Sequence, residues 1–139
     1  MSEQFFWTMP IEVRWRDLDG LGHVNNAVYL TYFESARCAY ALELLEGKRL
    51  EDITFILGES TIRYLKPAHF GDDLIIGTRV ERIGTKSFVL AYELRRQGEL
   101  ICAGSSTQVW YDYPADRSIP IPDSFRQRVA QVQGAPAGS

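Results

Sequence analysis

Apolar and polar side chains alternate along several stretches of the chain, which is typical of β-strands that bury one face. The first such stretch is Ile11–Arg16, in which Ile11, Val13 and Trp15 share a face. The same alternation predicts four later strands, at Ile53–Leu65, Asp73–Ile83, Phe88–Arg96 and Leu100–Tyr111. Short turns separate the last three strands and favour antiparallel hairpins between them.

A period of three to four residues replaces the alternation over Asn26–Glu46 and predicts one long helix. Asn25 or Asn26 can cap this helix, because an asparagine side chain accepts a hydrogen bond from the first free N–H groups. Glu34 and Arg37 are three residues apart on the helix, so we expect them to form an exposed ion pair.

The order of these elements is strand, helix and four strands, followed by a short second helix that Pro120–Asp123 opens. The long helix has to bury its apolar stripe, and a five-stranded antiparallel sheet wrapped around it does so with few elements. We therefore predict a single α+β domain over 1–139 with a flexible tail at 133–139. Because the edges and outer face of such a sheet need cover, we also expect a homodimer or homotetramer.

Charge and composition exclude several kinds of partner. The formal charge is −3 and the pI is about 5.4, so the chain has no basic field to attract nucleic acid. The N-terminus does not match a signal peptide, and no run of about 18 apolar residues could span a membrane. We therefore expect a cytoplasmic protein that binds neither nucleic acid nor membrane, with Cys38 and Cys102 as free thiols.

The residues with the clearest chemical meaning run from Asp17 to Tyr29, in the segment D-L-D-G-L-G-H-V-N-N-A-V-Y. This segment places two carboxylates beside a glycine-containing loop and the start of the long helix. The first N–H groups of a helix have no intrahelical acceptor, so they can stabilise a developing oxyanion. A nearby carboxylate can attack a carbonyl carbon or activate water. Hydrolysis of an ester or thioester requires this combination.

The pattern D-x-D-G-x-G-H-V-N-N-A-x-Y resembles a motif of the hotdog-fold thioesterases, in their 4-hydroxybenzoyl-CoA thioesterase-like branch, which includes long-chain acyl-CoA thioesterases. A second segment, I-R-Y-L-K-P-A…G-D from Ile62 to Asp72, resembles a strand and turn of the same family. With the element order, the resemblance extends from about Met9 to Asp112. It implies a hotdog fold, hydrolysis of an acyl-CoA to a free acid and CoA without metal or redox cofactor, and sites shared by two subunits.

The resemblance also implies roles for individual residues. Asp19, the second aspartate of the motif, corresponds to the catalytic carboxylate of the family. The backbone N–H that polarises the thioester carbonyl falls at about Asn26, and Gly22 keeps the loop close to the substrate. Further candidates for substrate contact are His23, Asn25, Tyr29, Glu59, Lys66, His69 and Lys86.

A structural role is the alternative for each of these side chains. Asp17 and Asp19 could both be turn residues, Asp17 with Arg14 or Arg16 as its partner. The histidines, the tyrosine and the lysines could be ordinary loop, core and surface residues. Glu59 could face solvent, or it could reach the site of a facing subunit.

A metal site is not expected in this segment. Asp17-Leu18-Asp19 begins like an EF-hand loop, but Leu21 and Val28 occupy the fifth and twelfth positions, where calcium needs a ligand and a bidentate glutamate. The two histidines of the chain have no neighbours at the spacing of zinc ligands.

Two other functions remain open at this point. A hotdog dehydratase or hydratase that acts on 3-hydroxyacyl thioesters needs an acid–base pair, for which His23 and Glu59 are the available residues. A non-catalytic module that binds acyl thioesters would use Asp19 only as a turn residue.

Overall fold

The computed structural model describes residues 5–46 and 53–134. Its strands are β1 (Trp7–Glu12), β2 (Phe55–Tyr64), β3 (Asp73–Ile83), β4 (Ser87–Arg96), β5 (Glu99–Asp112) and the two-residue β6 (Arg117–Ser118). Its helices are α1 (Asn26–Leu45) and α2 (Asp123–Gln133), with one 3-10 turn at Trp15–Asp17. The predicted order of one long helix, a run of strands and a short last helix is confirmed.

The strands form one antiparallel sheet in the order β1-β3-β4-β5-β2, and β6 pairs with the end of β5. Hairpins connect β3 to β4 and β4 to β5, as the short turns between them predict. β1 and β2 are therefore the two edge strands. Helix α1 lies across the inner face of the sheet, and its buried side chains are Tyr29, Tyr32, Phe33, Ala36, Arg37, Tyr40, Ala41 and Leu44.

Helix α1 packs on β4 where Phe33 stacks on Tyr92, with 4.4 Å between ring centroids and 5° between ring planes. Gly104 on β5 makes this approach possible. A Cβ atom at this position would lie 2.7 Å from Phe33 Cε2 and 2.3 Å from the carbonyl oxygen of Thr61. Any larger residue would therefore push α1 away from β5 and β2.

The opposite end of the sheet is closed by a cluster of aromatic rings. Phe55, Phe88 and Trp110 pack with Phe125 of α2, with ring centroids 4.8 to 6.3 Å apart. Each ring removes a large apolar area from water, so this cluster fixes α2 to the sheet.

Gln133 is the last residue of α2, although the sequence assigned it to the flexible tail. Its side-chain amide accepts a hydrogen bond from Val80 N–H at 2.9 Å and donates to Val80 O at 2.7 Å. It also accepts from the Tyr40 hydroxyl at 2.6 Å. Gln133 therefore ties α2 to β3 and α1, while 135–139 of the predicted tail lie outside the described residues.

The first strand lies earlier than predicted, at Trp7–Glu12 instead of Ile11–Arg16. Beyond it the backbone turns, because Asp17 accepts hydrogen bonds from both the main chain and the side chain of Arg14. Trp15 is consequently 74% exposed and packs edge-on against Phe70 instead of facing the core.

The interpretation of Glu34 and Arg37 as an exposed ion pair is wrong. Arg37 is buried, at 8% exposure, and its guanidinium donates to the Tyr92 hydroxyl at 3.2 Å. Glu34 stays on the exposed side of α1. Residues three apart on a helix lie about 60° from each other around the axis, so one can be buried while the other is exposed.

Both cysteines, Cys38 and Cys102, are free thiols, as predicted. Across the described ranges, neither helix combines the length and the apolar character that crossing a membrane requires.

Candidate active site

Asp17 anchors the loop between β1 and α1. Its side chain is 1% exposed and accepts hydrogen bonds from Arg14 N–H at 2.9 Å, from the Arg14 guanidinium at 2.9 and 3.2 Å, and from the Tyr32 hydroxyl at 2.8 Å. Its carbonyl oxygen accepts from Asn25 N–H at 2.8 Å. Asp17 therefore joins the end of β1 to α1, which confirms its structural interpretation with Arg14 as partner.

Burial raises the pKa of Asp17, but the hydrogen bonds from Arg14 and Tyr32 outweigh it and hold the pKa below its ordinary value of 3.8. A carboxylate whose pKa is lowered by folding stabilises the fold above its ordinary pKa. That contribution is lost as the pH falls through the pKa of the folded state.

We expect Asp17→Asn to lower the free energy of unfolding by about 1 to 3 kcal/mol at neutral pH, because it removes the charge that holds Arg14 and Tyr32. The difference from wild type should shrink below about pH 4 as the wild-type carboxylate is protonated. Urea unfolding curves measured from neutral to acidic pH test this. A difference that stayed constant in acid would show that the charge of Asp17 is not what stabilises the loop.

Asp19 is held differently from Asp17. Its Oδ1 accepts the N–H groups of Leu21 at 2.8 Å and His23 at 3.1 Å, while its Oδ2 accepts no hydrogen bond from the described residues. The hydrogen bond from Leu21 holds the pKa of Asp19 below its ordinary value, assisted by His23 and opposed by a smaller effect of burial. At neutral pH the side chain is therefore an oriented, ionised carboxylate with one free oxygen.

Gly22 closes the turn that presents Asp19. Its φ angle is +83°, in the region that side chains rarely adopt, and its N–H donates to Asp19 O at 3.3 Å. A Cβ atom on Gly22 would meet nothing within 4 Å. Backbone conformation, and not lack of space, is therefore the reason for glycine here.

The start of α1 leaves one N–H group available. The Asn25 side chain accepts from Ala27 N–H at 2.9 Å, and the Asn25 carbonyl accepts from Val28 N–H at 2.9 Å, which confirms Asn25 as the cap. Between them, Asn26 N–H has no acceptor among the described residues. The Asn26 carbonyl accepts from the Tyr64 hydroxyl at 2.8 Å. Helix α1 therefore presents a free donor at the positive end of its dipole.

A cavity of about 210 Å³ joins these groups, and we call it the Asp19 cavity. Its lining residues are Asp19, His23, Val24, Asn26, Tyr29, Tyr64, Leu65, Lys66 and Pro67. Tyr29 is buried at its base, where the hydroxyl accepts from Ala68 N–H at 3.0 Å and the ring lies 5.2 Å from that of Tyr64. A wider hollow of about 500 Å³ on the outer face of the sheet contains no residue of the loop or of α1.

Tyr64, Leu65 and Pro67 line the Asp19 cavity although the sequence assigned them no contact with substrate. They belong to the second motif segment, from Ile62 to Asp72, so the sequence contained a pattern that could have identified them. Alternation along β2 could not show that Tyr64 meets Asn26, which is 38 residues away in the chain.

His23 and His69 face each other beside the Asp19 cavity, with ring centroids 5.0 Å apart and nearly perpendicular planes. Asp72 fixes the turn that carries His69, because it accepts from His69 N–H at 2.8 Å and from Arg96 at 2.9 Å. Within the described part of the chain, no group of three or more His, Cys, Asp or Glu residues is placed to hold a metal ion.

The three charged candidates lie in different places. Lys66 lines the Asp19 cavity and pairs with Glu99 at 2.6 Å. Glu59 is exposed in the middle of β2, outside the cavity. Lys86 precedes β4, whose ten residues place it about 30 Å from the cavity end of that strand. The structure therefore does not bring Glu59 or Lys86 to Asp19 within one chain.

A family model described as the thioesterase-like superfamily matches residues 13–129. The long-chain acyl-CoA thioesterase FadM of Escherichia coli is 27% identical over 126 residues, which are 88% of this chain and 96% of that protein. The 1,4-dihydroxy-2-naphthoyl-CoA hydrolase of Thermosynechococcus vestitus is 27% identical over 116 residues, 80% of each protein.

A crystal structure of a thioesterase from Thermus thermophilus, complexed with coenzyme A and zinc, matches the fold with a TM-score of 0.89 and 34% identity. The match covers 97% of this chain and 99% of that one. This likeness confirms the hotdog fold expected from the two motifs.

Proposed function

The chain belongs to the thioesterase-like superfamily, and we propose that it hydrolyses acyl-CoA thioesters to a free carboxylic acid and CoA. One observation carries the proposal: a single cavity joins an ionised carboxylate, Asp19, to the free N–H of Asn26. The named relatives support CoA as the common part of the substrate, since they act on different acyl groups carried by CoA.

The proposed reaction places the thioester carbonyl oxygen on the Asn26 N–H, which stabilises the negative charge that develops there. Oxygen attacks the carbonyl carbon, the bond from that carbon to sulfur breaks, and the departing CoA sulfur takes up a proton. One water molecule is consumed, and its oxygen ends in the carboxylic acid. No electron transfer occurs, so the reaction needs no redox cofactor.

Asp19 Oδ2 acts in one of two ways, as the nucleophile or as a general base. It adds directly to the carbonyl carbon and forms an anhydride that water then hydrolyses, or it removes a proton from the attacking water. Both routes use the ionised carboxylate, and the hydrogen bonds from Leu21 and His23 to Oδ1 keep it in that form and leave Oδ2 available in a residue that lines the Asp19 cavity.

The remaining candidates receive narrower roles. We propose that His23, Tyr29 and Lys66 contact the substrate from the walls of the Asp19 cavity. We propose that His69, whose ring lies against that of His23, contacts the CoA portion beside the cavity. Glu59 and Lys86 can act only on the site of another subunit.

The dehydratase and the binding module are weaker alternatives. A dehydratase would need His23 and Glu59 together, and because Glu59 lies outside the Asp19 cavity of its own chain, the pair could form only between two subunits. A binding module would have no need for an oriented carboxylate beside a free helix N–H.

Release of CoA from a panel of acyl-CoAs, measured with a thiol reagent, tests the proposal. We expect turnover of saturated acyl-CoAs that carry no 3-hydroxyl group, which a dehydratase could not process. Tight binding without CoA release would instead favour the binding module.

We also propose that two copies associate through β2. This strand is a sheet edge ten residues long whose outer side pairs with no described strand, and its side chains are mostly exposed. Leu57 is 49% exposed and Ile56 is 37% exposed. A long apolar edge strand is a template for pairing with another strand. We place this assembly in the cytoplasm, which suits the free thiols Cys38 and Cys102.

We expect light scattering at micromolar concentration to show a dimer or tetramer, and Leu57→Lys to shift it towards monomer, because the new charge would be buried in the contact. Ile75→Lys is the matched control, since Ile75 is 44% exposed on β3, away from this edge. A monomeric wild type with full activity would overturn the proposed assembly.

A further inference from the structure

Arg37 carries a buried positive charge that no described carboxylate balances. The residue is 8% exposed and makes one hydrogen bond to the described part of the chain, to the Tyr92 hydroxyl at 3.2 Å. A guanidinium has five N–H donors and keeps its charge at all ordinary pH values. Because an unpaired buried charge is costly, we expect an anion to approach Arg37 when the protein works.

The neighbours of Arg37 hold it in place without neutralising it. The Tyr92 hydroxyl lies 2.5 Å from Ser106 Oγ, and the Ser106 hydroxyl in turn donates to the Gln108 side chain. The hydroxyl groups of Tyr92 and Ser106 therefore form a row in which each donates its proton away from Arg37, towards Gln108. Phe33 stacks on the Tyr92 ring and fixes its orientation. The remaining donors of Arg37 are left for a partner outside this row.

The inner face of β2 lies next to Ser106. Ser60 is exposed there and lies directly opposite Ser106. Leu30, Phe33 and Arg37 are spaced three and four apart, so they share the flank of α1 that faces β5 and β2. We call the strip between this flank and the inner face of β2 the β2 groove; its residues are Leu30, Arg37, Leu57, Ser60, Ile62 and Tyr64.

The β2 groove starts at the Asp19 cavity, because Tyr64 lines both. Four residues of β2 separate Tyr64 from Ser60, which is about 13 Å. Eleven residues of α1 separate Asn26 from Arg37, which is about 16 Å. An extended chain advances about 1.2 Å per bond, since the three backbone bonds of a residue span about 3.3–3.6 Å. An acyl chain of about ten to twelve carbons therefore reaches from the Asn26 N–H to Arg37.

We propose that Arg37 determines acyl specificity, and that the preferred substrates are CoA monothioesters of dicarboxylic acids about ten to twelve carbons long. This inference rests on the proposed thioesterase activity. The acyl chain lies in the β2 groove, and its free carboxylate pairs with Arg37 and accepts a hydrogen bond from the Ser60 hydroxyl. The apolar part of the chain lies against Leu30, Ile62 and Tyr64.

The test compares kcat/KM for decanedioyl-CoA, a monothioester with a free carboxylate, and for decanoyl-CoA, which ends in a methyl group. We expect wild type to favour the first by at least about tenfold, the factor typical of one charge-assisted hydrogen bond. Succinyl-CoA and butyryl-CoA form a short pair whose far ends stop before Arg37, so no such preference is expected between them.

Arg37→Met should remove the preference within the ten-carbon pair, because methionine keeps much of the side-chain volume without the charge. Arg63→Met is the matched control: Arg63 is an exposed arginine of β2 that borders the hollow on the outer face of the sheet, and its loss should leave the preference intact. Should Arg37→Met fail to fold, Ser60→Ala replaces an exposed side chain and should weaken the preference several-fold.

Three outcomes overturn the inference. If wild type has the same kcat/KM for decanoyl-CoA as for decanedioyl-CoA, Arg37 does not determine acyl specificity, and the proposed thioesterase function is unaffected. If Arg37→Met still prefers decanedioyl-CoA to decanoyl-CoA, another residue binds the free carboxylate of the acyl chain. Hydrolysis of neither chain, nor of the short pair, overturns the inference and the proposed function together.

Discussion

Asp19→Asn is expected to lower kcat by at least about 100-fold and to change KM little. The amide keeps the size of the carboxylate, and its oxygen can still accept from Leu21 and His23. It removes the charge and most of the nucleophilicity of Oδ2, which matter mainly in the transition state. Steady-state kinetics of CoA release on one good acyl-CoA give both constants.

Asp17→Asn is the matched control, since both residues are aspartates of the same loop. Asp17 is buried against Arg14 and Tyr32 and does not line the Asp19 cavity, so its replacement should affect stability much more than rate. Circular dichroism melts beside the kinetics separate the two effects. Nearly full activity in Asp19→Asn would refute the assignment, and activity in both variants would favour a non-catalytic role for the loop.

The pH dependence of kcat is a second test of the catalytic role of Asp19. Because the hydrogen bond from Leu21 holds the pKa of Asp19 below its ordinary value, the carboxylate is already ionised well below neutral pH. In a plot of kcat against pH, the loss of activity caused by protonation of Asp19 should therefore occur below about pH 4. At neutral pH, kcat should no longer change with protonation of this residue.

The sequence predicted most of the fold because most of its strands carry a local signal. The bounds of β3 agree with the prediction residue for residue, since its inner side chains alternate from Leu74 to Val80 and a turn follows Ile83. The first strand was misplaced because its end is set by Asp17, which binds Arg14 and is itself held by the hydroxyl of Tyr32, 15 residues away on α1. Alternation continued past this point in the sequence, although the strand did not.

The candidate site was predictable where its residues are neighbours in the chain. Asp19, His23 and Asn26 belong to one loop and one helix start, so a motif could identify them together. Arg37 was misjudged because nothing local distinguishes it from an exposed helical arginine. Its burial depends on Tyr92, 55 residues away on β4.

Asn26→Pro is the second substitution with a large expected effect, and it tests the oxyanion donor itself. Proline has no N–H, so the donor at the start of α1 disappears. We expect kcat to fall by about 100- to 1,000-fold, as it does when one oxyanion donor is deleted. The fold should survive, because proline is favoured at the first position of a helix. Asn25, with φ −59° and ψ 138°, has an extended conformation close to that of residues before proline.

Asn26→Ala is the control for this prediction, since it removes the same side chain and keeps the N–H. It should remain near wild-type kcat. Binding of free CoA to Asn26→Pro, measured by calorimetry, should also stay close to wild type, because in the proposed reaction the lost donor binds the thioester carbonyl and not the nucleotide. The Asn26 carbonyl can still accept from the Tyr64 hydroxyl in both variants, so the wall of the Asp19 cavity is kept. A folded Asn26→Pro variant with wild-type kcat would place the oxyanion donor elsewhere in the loop.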